Sequence, residues 1–249
     1  MSTPPVSDES SPGLLPLVKA VMLAGGGFLT GIVAFAVLGN LAVLGGVDVQ
    51  GSVVTQTVLN VIALQGIGFL VASLVFLRVR DRFDLVSVRR PTVRDAGYAV
   101  GGVFVLFAGL ILLNAVYTAL GIETGTQTIV EQSLDTPTLA LYSIPFSYLL
   151  VGPGEELLFR GAIQGILRES YGVVPAIVVA SVVFAAAHGL GITGTPTEIV
   201  ASLSVIFMLS LVFGAVYERT GNILVPVFIH GTYNAFTFLS LYLRGTGAV

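Results

Sequence analysis

Seven apolar stretches divide the chain, at about residues 17–45, 54–77, 97–121, 138–168, 174–192, 197–217 and 222–243. A hydrocarbon core roughly 30 Å thick is crossed by about 20 residues of helix, and each stretch reaches or approaches that length. With 55% hydrophobic residues, 10% charged residues and a mean hydropathy of +0.95, the chain is excluded from the ordinary soluble class, where about a quarter of residues carry charge. The expected fold is all-α, a polytopic transmembrane helical bundle of about seven membrane segments and one integrated membrane domain.

The stretch at 17–45 is longer than the apolar region of a signal peptide and no small-residue cleavage site follows it, so it reads as a retained span. Residues 1–16 begin with the acidic, Pro/Ser-rich "MSTPPVSDESSPG" and read as a disordered tail. The loop "RVRDRFDLVSVRRPTVRD" holds Arg78, Arg80, Arg82, Arg89, Arg90 and Arg94, more than half of the 11 basic residues. The positive-inside rule places that loop and the N-terminus in the cytoplasm of a cell membrane protein. Alternating spans then leave the C-terminus outside. Arg244 beside that end opposes the assignment, and a re-entrant fourth segment would reverse everything after it. The absence of Cys removes disulfides and thiolate chemistry together, and no basic cluster has the form of a nucleic-acid footprint.

Against this background "GEELLFRG", Gly154 to Gly161, is costly. On a helix Glu156 and Arg160 lie four apart with the acid N-terminal to the base, the favourable order for an ion pair. Glu155 points about 100° away and is left available for something else. Pro153 suits a helix N-terminus, where the dipole favours Glu in the first turn. Gln164 and Arg168 continue the Glu156 face. On this stretch alone a structural ion pair accounts for the charges as well as a functional site does.

Two histidines shift that balance. His188 in "VVFAAAHGLG" and His230 in "PVFIHGTYN" are the only ones, and both interrupt apolar helices in the half of the chain that holds the glutamates. A lone membrane histidine usually makes an interhelical hydrogen bond. Here Asn234 lies one turn after His230 on the same face, and Phe184 one turn before His188. Counting ~1.5 Å per residue from the cytoplasmic ends puts Glu155, His188 and His230 roughly 14 to 20 Å deep, a level all three can share. Intramembrane ionisable groups gathered so are expected to be functional.

"EELLFR", "FAAAH" and "HGTYN" together resemble the E-E-x-x-x-R, F-x-x-x-H and H-x-x-x-[ND] motifs of the CPBP proteins, the CAAX-protease and bacteriocin-processing (Abi) family of intramembrane proteases. The run "GAVYERTGNILVPVFIH", with Gly221 and Pro226, is similar to that family's approach to its last motif. The resemblance covers about Thr138 to Leu243, which sets 138–243 apart as a catalytic helical core from the N-terminal transmembrane helices at 17–137. It implies a type II CAAX-protease-like endopeptidase acting on peptide or lipidated protein substrates at the bilayer. By the same resemblance Glu155 would activate water with His188 helping to hold it, His230 and Asn234 would stabilise the oxyanion, and Glu156 and Arg160 would support the helix.

Glu155, His188 and His230 also make a two-His, one-carboxylate set, so the cofactor is either none or one zinc ion, with Glu156 left as the base in the second case. The compact H-E-x-x-H spacing is missing and Arg160 would compete for Glu156, which favours the metal-free glutamate mechanism. Asn60, Gln65 and Asn114 are expected to bond across helices, and "AGGGFLTG" to pack helices closely rather than bind phosphate. Glu218 and Arg219 mark a cytoplasmic turn with room for a supporting role. A non-catalytic immunity or scaffold protein, and a proton- or cation-coupled transporter, are the rival functions.

Overall fold

The computed structural model describes residues 13–248. The expected tail falls largely outside them, and Leu15 and Pro16 already belong to the first helix. The helices are α1 (Leu15–Leu44), α2 (Val53–Val79), α3 (Val93–Leu120), the short α4 (Thr128–Asp135), α5 (residues 137–171), α6 (Val173–His188), α7 (Pro196–Thr220) and α8 (Leu224–Gly245). Two-residue strands β1 (Thr126–Gln127) and β2 (Ile192–Thr193) pair antiparallel, with Thr126 opposite Thr193. In hydrocarbon every backbone N–H and C=O must be satisfied within its own segment, which is why the apolar stretches are helical throughout.

Helix boundaries follow local chemistry. Thr92 with Asp95, and Thr195 with Glu198, form capping boxes at the starts of α3 and α7. Gly121 and Gly221 end the same two helices in the left-handed conformation, with φ of 64° and 56°. The glycine-rich stretch of α1 packs as its composition suggests: Gly27 and Gly31 face Gly68, Leu64 and Phe69 of α2, whereas Gly25 and Gly26 face open space. The contact is backbone to backbone, since a methyl group on Gly68 would stand 2.6 Å from the Gly27 carbonyl oxygen.

Among the described residues six helices are long and apolar enough to cross a membrane: α1, α2, α3, α6 with its following turn to Gly191, α7 and α8. The seventh expected span, α5, is not among them. It is less apolar because it is the central helix: residues 154–167 are all buried, with α1, α2, α6 and α8 packed around them. A helix shielded from lipid by its neighbours can carry charge that a peripheral one cannot.

α5 also corrects the reading of Pro153. No helix begins there, because Val151 (φ −65°, ψ −60°) and Gly152 (φ −55°, ψ −53°) already have helical dihedrals. Wider π-type turns at Ser147–Val151 and Leu157–Ile163 flank the proline. A proline inside a helix removes one hydrogen bond and crowds the carbonyl four residues back, and a widened turn relieves both. The first-turn dipole therefore does not act on Glu155. Nor is the segment re-entrant: it runs through the bundle, so successive long helices alternate in direction.

Positive charge is segregated at one end of the bundle. The start of α1, the ends of α2, α5 and α7 and the start of α3 share one end, tied by Tyr171 to the Gly13 carbonyl (2.8 Å), Arg89 to the Thr220 carbonyl (2.8 Å) and Arg168 to Glu218 (3.3 Å). Every Lys and Arg lies at this end except the buried Arg160 and the C-terminal Arg244. The opposite end, acidic in balance, carries Asp48, Glu123, Glu131, Asp135 and Glu198 against Arg244, while at the basic end Asp81, Asp84, Asp95, Glu169 and Glu218 are interspersed with the Lys and Arg.

The α1–α2 contact predicts that Gly68→Val separates the two helices at a cost of about 1–3 kcal/mol, read as a lower melting temperature of the detergent-purified protein. Gly26→Ala, which meets nothing within 4 Å and exchanges glycine for a better helix former, is expected not to lower that temperature.

Candidate active site

The glutamates of α5 meet α2, α6 and α8 at mid-bundle. Gly154 makes this possible: a methyl there would stand 2.4 Å from the Gln65 carbonyl oxygen, so only glycine lets α5 lie this close to α2. The Gln65 side-chain amide then donates to Glu155 Oε1 at 3.0 Å. Glu156, one residue on, turns the other way. Its Oε2 accepts from Arg160 Nε at 2.9 Å and its Oε1 from His230 Nδ1 at 2.9 Å.

Glu156 and Arg160 have no exposed surface. Desolvating both charges costs several kcal/mol each, a cost that a well-placed counterion and further hydrogen bonds must offset. The second hydrogen bond to Glu156 comes from His230. Arg160 is helped differently: its guanidinium carbon lies 4.8 Å from the Phe184 ring centroid and 5.7 Å from that of Phe213, while Nη1 and Nη2 have no hydrogen-bond partner among the described residues. Cation–π attraction of this kind is worth about 2 kcal/mol where water is excluded. Further along the same face Gln164 donates to Glu218 at 2.8 Å, and Arg168 pairs with it. Glu218 thus fastens the end of α7 to α5.

Phe184 has three contacts that its motif position alone did not disclose. It covers Arg160, its carbonyl accepts from His188 Nδ1 at 2.8 Å, and its ring centroid is 4.6 Å from the His188 ring. Phe213 stacks on His230 at 4.9 Å with 13° between the planes. These contacts fix which ring nitrogens carry protons. A carbonyl and a carboxylate only accept, so Nδ1–H is the donor in both histidines, and in the neutral imidazole Nε2 is left bare.

Both Nε2 atoms face the same oxygen. Glu155 Oε2 is 3.8 Å from His188 Nε2 and 3.8 Å from His230 Nε2, beyond direct hydrogen-bond reach, and it is buried without a partner. Three lone-pair donors thus converge on one small volume. Tetrahedral zinc at about 2.0–2.1 Å from each ligand holds its donors about 3.3–3.4 Å apart. The observed 3.8 Å separations are wider than that, and no group of three His, Cys, Asp or Glu among the described residues is arranged to hold a metal ion. A water hydrogen-bonded at about 2.8 Å holds tetrahedrally placed partners about 4.6 Å apart, so the separations of Glu155 Oε2 from the two Nε2 atoms fall between the zinc and the water spacing.

Glu155 and His188 face two adjoining cavities of about 520 and 340 Å³. Asn234 and His230 line the smaller one, and Asn234 makes no side-chain hydrogen bond among the described residues. Glu155, Glu156, Arg160, His188 and His230 therefore form one connected cluster, with Asn234 on the wall beside them. Gln65 does bond across helices, but to Glu155 itself, and Asn60 lines both cavities. Asn114 is exposed on α3 with no side-chain bond to another helix, contrary to expectation. For Gln65 the available signal was an amide in an apolar span; for Phe213, one phenylalanine among fifteen, there was none.

Residues 137–236 match the family model for type II CAAX prenyl endopeptidases, Rce1-like. The segment is Rce1-like. It starts with α5, ends within α8 and contains every member of the cluster together with Asn234. Over 142 residues the chain is 25% identical to an uncharacterized 24.3 kDa protein of Escherichia coli, an alignment covering 55% of this chain and 61% of that protein. No solved structure matches the chain. The first three spans, including Gln65 and Asn60, lie outside the Rce1-like segment and complete the cavity from without.

The buried pair predicts that Arg160→Ala, which strands the Glu156 charge, destabilises the fold by about 3–5 kcal/mol, measured by thermal unfolding in detergent. Glu155→Gln leaves that pair intact and is expected to unfold at the wild-type temperature.

Proposed function

We propose that the chain is an intramembrane endopeptidase in which Glu155 is the general base. The observation that carries this reading is the buried, unpartnered Glu155 Oε2 facing two imidazole nitrogens across 3.8 Å gaps. Water placed between them donates one proton to Oε2 and the other to His188 Nε2. Gln65 holds the far carboxylate oxygen, so the base has one orientation.

With a peptide in the cavity, the water oxygen adds to the scissile carbonyl carbon while its proton passes to Glu155. The carbonyl oxygen becomes an oxyanion, stabilised by the Asn234 amide and by His230, which donates from Nε2 when it carries a second proton. Glu156 offsets the resulting imidazolium charge through Nδ1. Glu155 returns the proton to the leaving nitrogen as the oxyanion collapses and the C–N bond breaks, releasing a carboxylic acid and an amine, and the acid's proton then passes to the amine, leaving a carboxylate and an ammonium. Donors already aimed at developing charge are worth several kcal/mol in a dry site because they need no reorganisation. Glu156, Arg160, Phe184 and Phe213 touch no reacting atom in this scheme and act by positioning the two imidazoles.

The charge segregation supports a membrane orientation with the basic end in the cytoplasm. The partners proposed are the bilayer and a membrane-associated peptide or protein substrate.

Purified protein reconstituted with candidate membrane peptides is expected to cleave, and Glu155→Gln to lower the rate by about 10²–10⁴-fold, the usual worth of a general base. Asn234→Ala is expected to lose about 10²–10³-fold, as does removal of one oxyanion donor elsewhere. Full activity in Glu155→Gln rejects the scheme. Metal analysis of the same preparation is expected to find activity unchanged after chelation; stoichiometric zinc whose removal stops cleavage assigns Glu155, His188 and His230 as ligands instead.

A further inference from the structure

The two sides of the candidate site differ in access. Towards the basic end it is sealed: Glu156, Arg160, Gln164 and Leu167 have no exposed surface, and the bonds from Gln164 and Arg168 to Glu218 close the space beneath them. Phe184 and Phe213 fill what remains around Arg160.

Towards the acidic end it is open. The larger cavity is walled by Gln127, Thr128 and Gln132 from the β1–α4 segment and by Leu190 and Gly191 from the turn that follows His188. Thr128 and Gly191 are exposed, and Leu190 is 85% exposed. The smaller cavity runs the same way, along Thr237 and Phe238 of α8 and Ser143 and Phe146 in the first half of α5. Ser143 and Phe146 lie on the acidic side of Glu155 along α5, Leu190 and Gly191 follow His188, and Thr237 and Phe238 lie on the acidic side of His230 along α8.

The positive-inside rule reads Lys and Arg in short loops and helix ends, and here they gather almost wholly at the sealed end. We infer that the site is entered from the extracytoplasmic face, so that its substrates are exported or outward-facing polypeptide segments rather than lipidated C-termini presented from the cytoplasm. The word substrate rests on the endopeptidase reading; the side of entry rests only on charge and cavity shape. A peptide reaching Glu155 by this route passes the β1–β2 ribbon and the turn bearing Leu190 before it meets His188.

The chain contains no Cys, so single-cysteine variants report position without background. Leu190→Cys and Thr128→Cys mark the mouth, and Val88→Cys marks the basic end. In intact cells a membrane-impermeant maleimide is expected to label the two mouth variants as fully as after permeabilisation, and Val88→Cys only after permeabilisation. The reverse pattern, or equal labelling of all three in intact cells, overturns the inference. Two mouth positions guard against one variant failing to fold, which size-exclusion chromatography of each protein reveals. The labelling is repeated in the Glu155→Gln background, where turnover is not required. A wrong side of entry and a wrong catalytic scheme therefore give different results.

Discussion

The Glu156 carboxylate is the group on which the rest of the site depends. It is fully buried, so it must be neutralised on the spot, and it receives Arg160 from its own helix and His230 from α8. The first contact follows from helical spacing alone and would form on any helix with this sequence. The second is tertiary and decides the tautomer of His230, and through it what the other ring nitrogen offers to Glu155. Structure and chemistry are thus linked through one carboxylate: the charge that demands burial partners also orients the imidazole.

Such a charge is tolerable only because α5 is central. The six more apolar helices take the lipid-facing positions, and their exposed Leu, Val and Ile side chains are where membrane proteins are expected to place them. The widened turns around Pro153 then rotate successive side chains away from regular helical spacing. Adjacent residues of a helix point about 100° apart, so Glu155 is aimed at α2 and α6 while Glu156 faces α8. Small residues set how near the neighbours come, with Gly154 against Gln65 as the tightest instance. The aromatic rings do the remaining positioning: one plane stacks on His230 and another lies beside His188, and both lie against the guanidinium that would otherwise be bare.

Much of this was legible in the linear chain, for specific reasons. Apolar run length marked the spans because lipid thickness is a fixed ruler. Glu156 with Arg160 was readable because four-residue spacing on a helix is a local geometry. The two histidines stood out by scarcity. Gln65 and Phe213 did not, since an amide in a span has many candidate partners and a phenylalanine in an apolar helix has none that spacing can name. Pro153 misled because proline is common both at a helix start and at a widened turn, and only the neighbouring dihedrals distinguish the two.

The sequence by itself counted seven spans where six of the described helices are apolar enough to cross and α5 is enclosed among them, but it determined the class of fold, the segregation of positive charge and the short-range pair within "EELLFR". Each of these depends on composition or on residues within one helical turn, where geometry is fixed by the backbone. Only the tertiary structure decided that an oxygen of Glu155 lies between two imidazoles, that Gln65 holds its other oxygen, and that the cavity opens away from the arginines. Those relations join residues many positions apart, and they are set by how closely glycines let helices approach and how a proline shifts the phase of one.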